Sequence, residues 1–346
     1  SMGSGGAERQ LSGLAKMLQS SGNEVKIIWY AKGDFYKPFL EKNNIAYKEI
    51  YAKNTYQKVC NIAREISAYK PDVVMSYLTG PNVFTSLLKL FGYNYKLIVS
   101  DRNTLQKLNW KYRLCFNLFR YADVIVPNSY SEGEFIKKYY PKLKSKINVI
   151  TNFTDTSLFV PKVLPAYNDV IRCIIVARVI EQKNVARFLH AVKIVKQKKI
   201  KIHFDWYGDS FEQNYREEQL KSINTLGISD YITIHPSTNN ILEEYQKSDV
   251  FCLPSLYEGF PNVVCEAMSC GLPILCSNVC DNPFIVEDGV NGFLFDPLSA
   301  DSIVDSIERY IATMHLNRIA ISNRNRDKII RICSQEAFFN KYLTIL

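Results

Sequence analysis

Glu258 and Glu266 stand eight residues apart, and Gly259, Phe260, Pro261 and Asn262 follow the first of them directly. A carboxylate accepts hydrogen bonds from hydroxyl groups, so two carboxylates held near each other suit a ligand rich in hydroxyls. The surrounding residues say how they are held. Residues 249–254 form a short apolar run of strand formers, 257–262 are turn chemistry, and 263–269 carry helical apolar spacing until Gly271 and Pro273 stop it. Pro261 suits a first helical turn, where its missing N–H would have no partner anyway. The N–H groups of such a helix start, with their partial positive charge, favour an anionic or strongly accepting group. Glu258 precedes those donors and Glu266 lies inside the helix, so both can address one ligand at its entrance. A nucleotide sugar, polyhydroxyl and anionic at once, fits that set. The same spacing would also occur in a capped helix with two ordinary surface glutamates, and the Glu-Gly-Phe-Pro-Asn context is what argues against that reading.

The elements that must position these residues alternate along the chain. Helical spacing is expected over 7–21, near 55–69, over 82–91, near 110–121 and over 132–139, and strands over 24–30, 73–77, 96–100, 124–128 and 147–150. The rhythm repeats with strands at 172–177, 203–207, 231–234, 250–253, 274–276 and 292–295. Strands separated by helices imply parallel sheets covered on both faces, and ligands then bind at the carboxyl ends of the strands. At 346 residues the chain suggests two domains, with a linker near 152–168 where Pro161 and Pro165 break the periodicity.

Composition narrows the class. The 47% apolar and 22% charged content is that of a globular protein, and no run reaches the ~18 apolar residues of a membrane span. Nine cysteines without Cys-x2-Cys spacing, beside four histidines, offer no structural zinc site; they are expected to be small buried hydrophobes in a reducing compartment. The net charge of +9 is unevenly spread: residues 1–163 hold 24 Lys and Arg against 12 Asp and Glu, whereas 164–346 hold 19 against 22. Such a basic half could attract an anionic membrane or a phosphorylated acceptor. Nucleic acid is not expected, because no recognition motif accompanies the charge.

Four segments together carry a family resemblance: Gly3-Ser4-Gly5-Gly6-Ala7-Glu8-Arg9, Ala177-Arg178-Val179-Ile180-Glu181-Gln182-Lys183-Asn184, the Glu258 to Glu266 stretch, and Cys270-Gly271-Leu272-Pro273 followed by Glu287-Asp288-Gly289-Val290-Asn291-Gly292. In this order and spacing the chain resembles glycosyltransferase family 4, the retaining transferases of GT-B fold, over nearly its whole length. The resemblance implies two doubly wound, Rossmann-like α/β domains facing across a cleft. It sets an acceptor-side domain at 1–160, a nucleotide-sugar domain at 161–333 and a helix at 334–346 that crosses back to the first domain. In the family the glycine loop follows a central strand, so the natural chain is expected to extend upstream by about one strand, ~5–6 residues plus flanks.

The resemblance also assigns roles. Arg178 and Lys183 should contact the diphosphate, Glu258 the donor-sugar hydroxyls and Glu266 the ribose, with the N–H groups of Gly259, Phe260, Pro261's neighbour Asn262, Val263 and Val264 holding sugar and phosphate. Gly6 should offer its N–H to the same phosphates, and the base should lie near Gly208, Ser237 and Thr238. The family usually has Gly where Pro236 and Ser210 stand here, which leaves the base open, with uridine expected by default. Arg102 occupies the acceptor-side position where many relatives carry His; an Arg cannot act as a base but can orient an acceptor. No cofactor and no metal are expected. The implied activity is hexosyl transfer from a UDP-sugar to a lipid-linked or saccharide acceptor in bacterial surface polysaccharide or glycoconjugate assembly. The expected location is cytoplasmic, peripheral on the inner face of the cell membrane. Trp110-Lys111-Tyr112-Arg113 and residues 136–146 mix aromatics with Lys and Arg as a membrane interface does. The alternatives are a non-catalytic nucleotide-sugar-binding scaffold of the same fold, or a GT-B epimerase or phosphorylase.

Overall fold

The computed structural model describes residues 2–3, 5–102, 110–162, 169–313 and 317–346, without the side chains of Trp110 and Lys111. Its contacts divide the chain into two units, Ser1–Asn152 with Phe338–Leu346, and Phe153–Ala337.

The first unit contains two parallel sheets. β1 (Lys26–Trp29) pairs with β2 (Ala46–Glu49), and β3 (Val73–Tyr77), β4 (Lys96–Asp101) and β5 (Val124–Pro127) form a second sheet in that order. β4 lies centrally, and Leu97, Ile98 and Val99 are wholly buried, as a strand covered on both faces requires. β2 was not anticipated, because Ala-Tyr-Lys-Glu lacks an apolar run; pairing with β1 supplies what its side chains do not. The strand expected at 147–150 is reduced to a single bridge between Ile147 and Ile125, although Asn148 and Ile150 still donate to the carbonyls of Ile125 and Pro127. The helix Gly6–Ser20 begins at the glycine loop, with Gly5 extended at its entrance.

The second unit is built on one parallel sheet of six strands: β6 (Ile171–Val176), β7 (Ile202–Tyr207), β8 (Ile232–His235), β9 (Val250–Leu253), β10 (Ile274–Ser277) and β11 (Gly292–Phe295), ordered β11-β10-β9-β6-β7-β8. The first strand of the unit therefore lies in the middle, with Ile174 opposite Asp205 of β7 on one side and Phe251 of β9 on the other. The loops leaving β6 and β9 depart in opposite senses, which is the switch point where open α/β sheets bind ligands. Phe188, Phe204 and Trp206 fill the core beneath, with ring centroids 5.2 and 5.8 Å from Phe188. Residues 153–160, expected at the end of the first domain, belong with this unit. Phe159 is buried in its core and its carbonyl accepts from Ser269 and Arg326.

Candidate functional site

The loop after β6 carries Arg178 and Lys183. Val179 is buried and anchors the loop, the short 3-10 turn Glu181–Lys183 follows, and Asn184 adopts φ 61° before the helix Val185–Gln197. That left-handed backbone is one that Asn tolerates better than most residues. The Asn184 amide donates to the carbonyls of Pro254, at 3.1 Å, and Pro297, at 2.7 Å. It thereby ties the β6 loop to the loop after β9.

Two further bonds close the seam. Leu256 N–H donates to Gln182 O at 2.9 Å, and Gln182 Nε2 donates to Tyr257 O at 2.9 Å. Side by side, the loops bring Lys183 Nζ onto Glu258 Oε1 in an ion pair whose side chains are only 12% and 11% exposed. A buried charge pair of this kind needs good geometry to offset desolvation, and the seam provides it. The chain then runs through Gly259, buried Phe260 and Pro261 into the helix Asn262–Ser269. Within that helix Glu266 is 6% exposed and accepts from Tyr245 Oη at 3.4 Å. One turn on, burial and the Glu266 charge push the Cys270 thiol up to about 12. Cys270 is one of six buried cysteines, with Cys173, Cys252, Cys265, Cys276 and Cys333.

The wall beyond β7 is equally tied down. A Cβ on Gly208 would lie 2.0 Å from Ala177 O, so only glycine lets β6 and β7 approach this closely at their carboxyl ends. Asp209 accepts from the N–H and hydroxyl of Ser237, and these bonds hold its carboxyl below the ordinary value. Thr238 Oγ1 accepts from Asn240 N–H. Arg178 is exposed, with its guanidinium over the Phe211 ring.

The structure thus brings Lys183 and Glu258 into contact, sets Arg178 on the same loop as Lys183, and sets Glu266 on the helix that the Glu258 loop enters. Gly208, Ser237 and Thr238 gather at the ends of β7 and β8. Gln182, Asn184 and Tyr245 had no assigned role in the sequence. The first two lie inside a quoted segment, whereas nothing in the order of residues marks Tyr245. Gly6 and Arg102 belong to the first unit. Arg102 Nε donates to Ser100 Oγ, Nη1 to Asn152 Oδ1 and Nη2 to Tyr342 Oη, and its plane lies over the Tyr77 ring. Ser4, in the glycine-rich segment, lies outside the described residues. Among the described residues no group of three His, Cys, Asp or Glu gathers as a metal site, and no helix is long and apolar enough to cross a membrane.

Residues 159–326 match the family Glycosyl transferases group 1, and residues 4–158 match Glycosyltransferase Family 4. The Anabaena protein HepE, solved with UDP, superposes with a TM-score of 0.87 at 20% identity, over 100% of this chain and 97% of that one. Two α/β units with parallel sheets, the second with a strand-order switch beside its first strand, are those of the GT-B fold, and the two family matches make the chain a glycosyltransferase. An uncharacterized glycosyltransferase of Haemophilus influenzae is 27% identical across 93% of this chain and 91% of its own length. The UDP-Gal:alpha-D-GlcNAc-diphosphoundecaprenol alpha-1,3-galactosyltransferase of Escherichia coli is 29% identical across 52% of this chain and 49% of its own. The chain belongs to glycosyltransferase family 4.

Proposed function

We propose that this glycosyltransferase moves a hexosyl group from a UDP-sugar, with retention of configuration, to a lipid-linked or saccharide acceptor in bacterial surface glycan assembly. The observation that carries the reading is the Lys183–Glu258 pair at the switch point. A phosphate-directed cation and a hydroxyl-directed carboxylate meet there, and a nucleoside diphosphate sugar offers each a replacement partner. Its diphosphate takes the Lys183 ammonium, and its sugar hydroxyls donate to Glu258.

As the glycosidic bond to phosphate breaks, negative charge grows on the diphosphate and the anomeric carbon gains oxocarbenium character. Arg178 and Lys183 act where that charge develops, Arg through a planar fork and Lys as a point charge. The acceptor oxygen bonds the anomeric carbon on the face the phosphate leaves, and its proton passes to the departing phosphate oxygen, so no enzymatic base is assigned. Glu266 accepts from the ribose hydroxyls. Arg102 serves the acceptor side by fixing the end of β4, since three of its nitrogens are already bonded. No metal is assigned, because the two cationic side chains supply the counter-charge.

The UDP bound to HepE and the lipid-diphosphate acceptor in the E. coli relative's name support the donor and acceptor classes. A thermal-shift screen of nucleotide sugars tests the donor, because a ligand that binds only the folded state raises apparent stability. Turnover of the best donor with an acceptor, followed by proton NMR of the product's anomeric centre, tests retention. Activity is expected to survive EDTA; loss restored by Mg²⁺ or Mn²⁺ would overturn the metal-free assignment. Binding without release of nucleoside diphosphate would favour the scaffold alternative.

A further inference from the structure

Arg178 and Lys183 are held in different ways. Lys183 is neutralised by Glu258, whereas among the described residues Arg178 forms no salt bridge and its guanidinium lies over the Phe211 ring, 5.5 Å from the centroid. Phe211 is 85% exposed, so burial does not account for the position of its ring. The loop beneath it does. Gly208 N–H donates to His235 O, Val179 N–H donates to Asp209 O, and Arg216 Nη1 donates to Gly208 O at 2.8 Å. On the far side Ser210 Oγ and Glu212 N–H and O close a tight turn around residue 211. The backbone is fixed on both flanks of Phe211, and the Asp209 side chain on the same loop is tied to Ser237 by two hydrogen bonds.

We propose that Phe211 is a positioning residue for Arg178: its ring orients the guanidinium without neutralising it, leaving the full charge for a nucleoside diphosphate. A carboxylate in the same place would have to be displaced by the phosphates, and removing it would cost the charge-assisted hydrogen bonds it had made. An aromatic face attracts the cation through its quadrupole and leaves the guanidinium edge, with its donors, open. The inference rests on the assignment of Arg178 to the diphosphate.

The test titrates UDP, GDP and ADP and carries forward the tightest. Phe211→Ala is expected to weaken that nucleoside diphosphate about two- to five-fold, the change an exposed cation–π pair corresponds to. Because the ring is exposed, thermal stability should hold. Phe211→Leu, which keeps apolar bulk but has no ring face, should behave as Phe211→Ala, and Phe211→Tyr should restore binding. In an Arg178→Ala background Phe211→Ala should add nothing, as a double-mutant cycle reads directly. Full binding in Phe211→Leu, or losses that add independently in the double variant, would overturn the positioning role while leaving Arg178's assignment intact. If Arg178→Ala alone leaves nucleoside diphosphate binding unchanged, the diphosphate assignment falls and the inference falls with it.

Discussion

At the scale of single residues the two carboxylates differ in what surrounds them. Both are buried, but Glu258 is paired with Lys183 in the seam between two loops, where a nucleotide sugar can replace each partner, whereas Glu266 is set in the helix and accepts from buried Tyr245. Removing each should therefore leave a different kinetic signature. Glu258→Ala is expected to lower kcat about 10- to 100-fold, the value of a lost hydrogen bond to a charged group, with a small change in KM. It should also lower stability, because Lys183 is then buried without its partner. Glu266→Ala is expected to raise KM by about tenfold for every sugar on the same nucleoside diphosphate, since the ribose is common to all. Steady-state kinetics across a donor series checks both; a sugar-dependent response to Glu266→Ala would reverse the assignment.

At the scale of elements, the site depends on how closely two strands approach at their carboxyl ends. The Cβ that Gly208 lacks would meet the Ala177 carbonyl carbon at 2.7 Å as well as its oxygen, and both are backbone atoms that cannot swing aside. Gly208→Ala is expected to cost about 1–3 kcal/mol as an overpacked contact, seen as a fall of several degrees in Tm, and to weaken nucleotide binding through the displaced β6 loop. Full stability in that variant would mean the two strand ends can part freely. The legibility of this region in the sequence was uneven. The strands and the Glu258 to Glu266 helix declared themselves through apolar runs and a Pro-initiated turn. β2 did not, because two of its four residues are charged and it holds no apolar run, and it is seen as a strand only through its pairing with β1; residues 147–150 looked like a strand but found only one bridge.

At the scale of the whole molecule, charge is the feature to test. Cations in the basic half cluster around the helix Tyr130–Tyr139 and the 3-10 turn Pro141–Lys146 that follows it. Lys138 lies over the ring of Tyr139, itself 48% exposed, and Lys142 and Lys144 are exposed. Lys146 is different: it donates to the carbonyls of Arg120 and Ala122 and is structural. The Trp110 and Lys111 side chains of the companion segment lie outside the described residues. A face of this kind is expected to bind anionic vesicles at low salt and to release them as ionic strength rises, each cation near the surface contributing about 1 kcal/mol. Flotation with neutral and anionic liposomes measures it, and equal recovery with both would exclude electrostatic docking. Lys138→Glu with Lys142→Glu should abolish the preference while leaving binding of soluble donor unchanged.

Read alone, the order of residues determined the class of most segments, though not β2 or residues 147–150, and pointed to Arg178, Lys183, Glu258 and Glu266, because apolar periodicity, turn chemistry and motif spacing are local properties. It could not say that Lys183 rests on Glu258, that Gln182 and Asn184 stitch two loops 70 or more residues apart, or that Phe211 lies against Arg178. Those contacts exist because β6 is flanked by β7 and β9, which sets the loops that follow β6 and β9 side by side at one end of the sheet. Strand order is decided by which faces bury together, and that is a property of the folded chain.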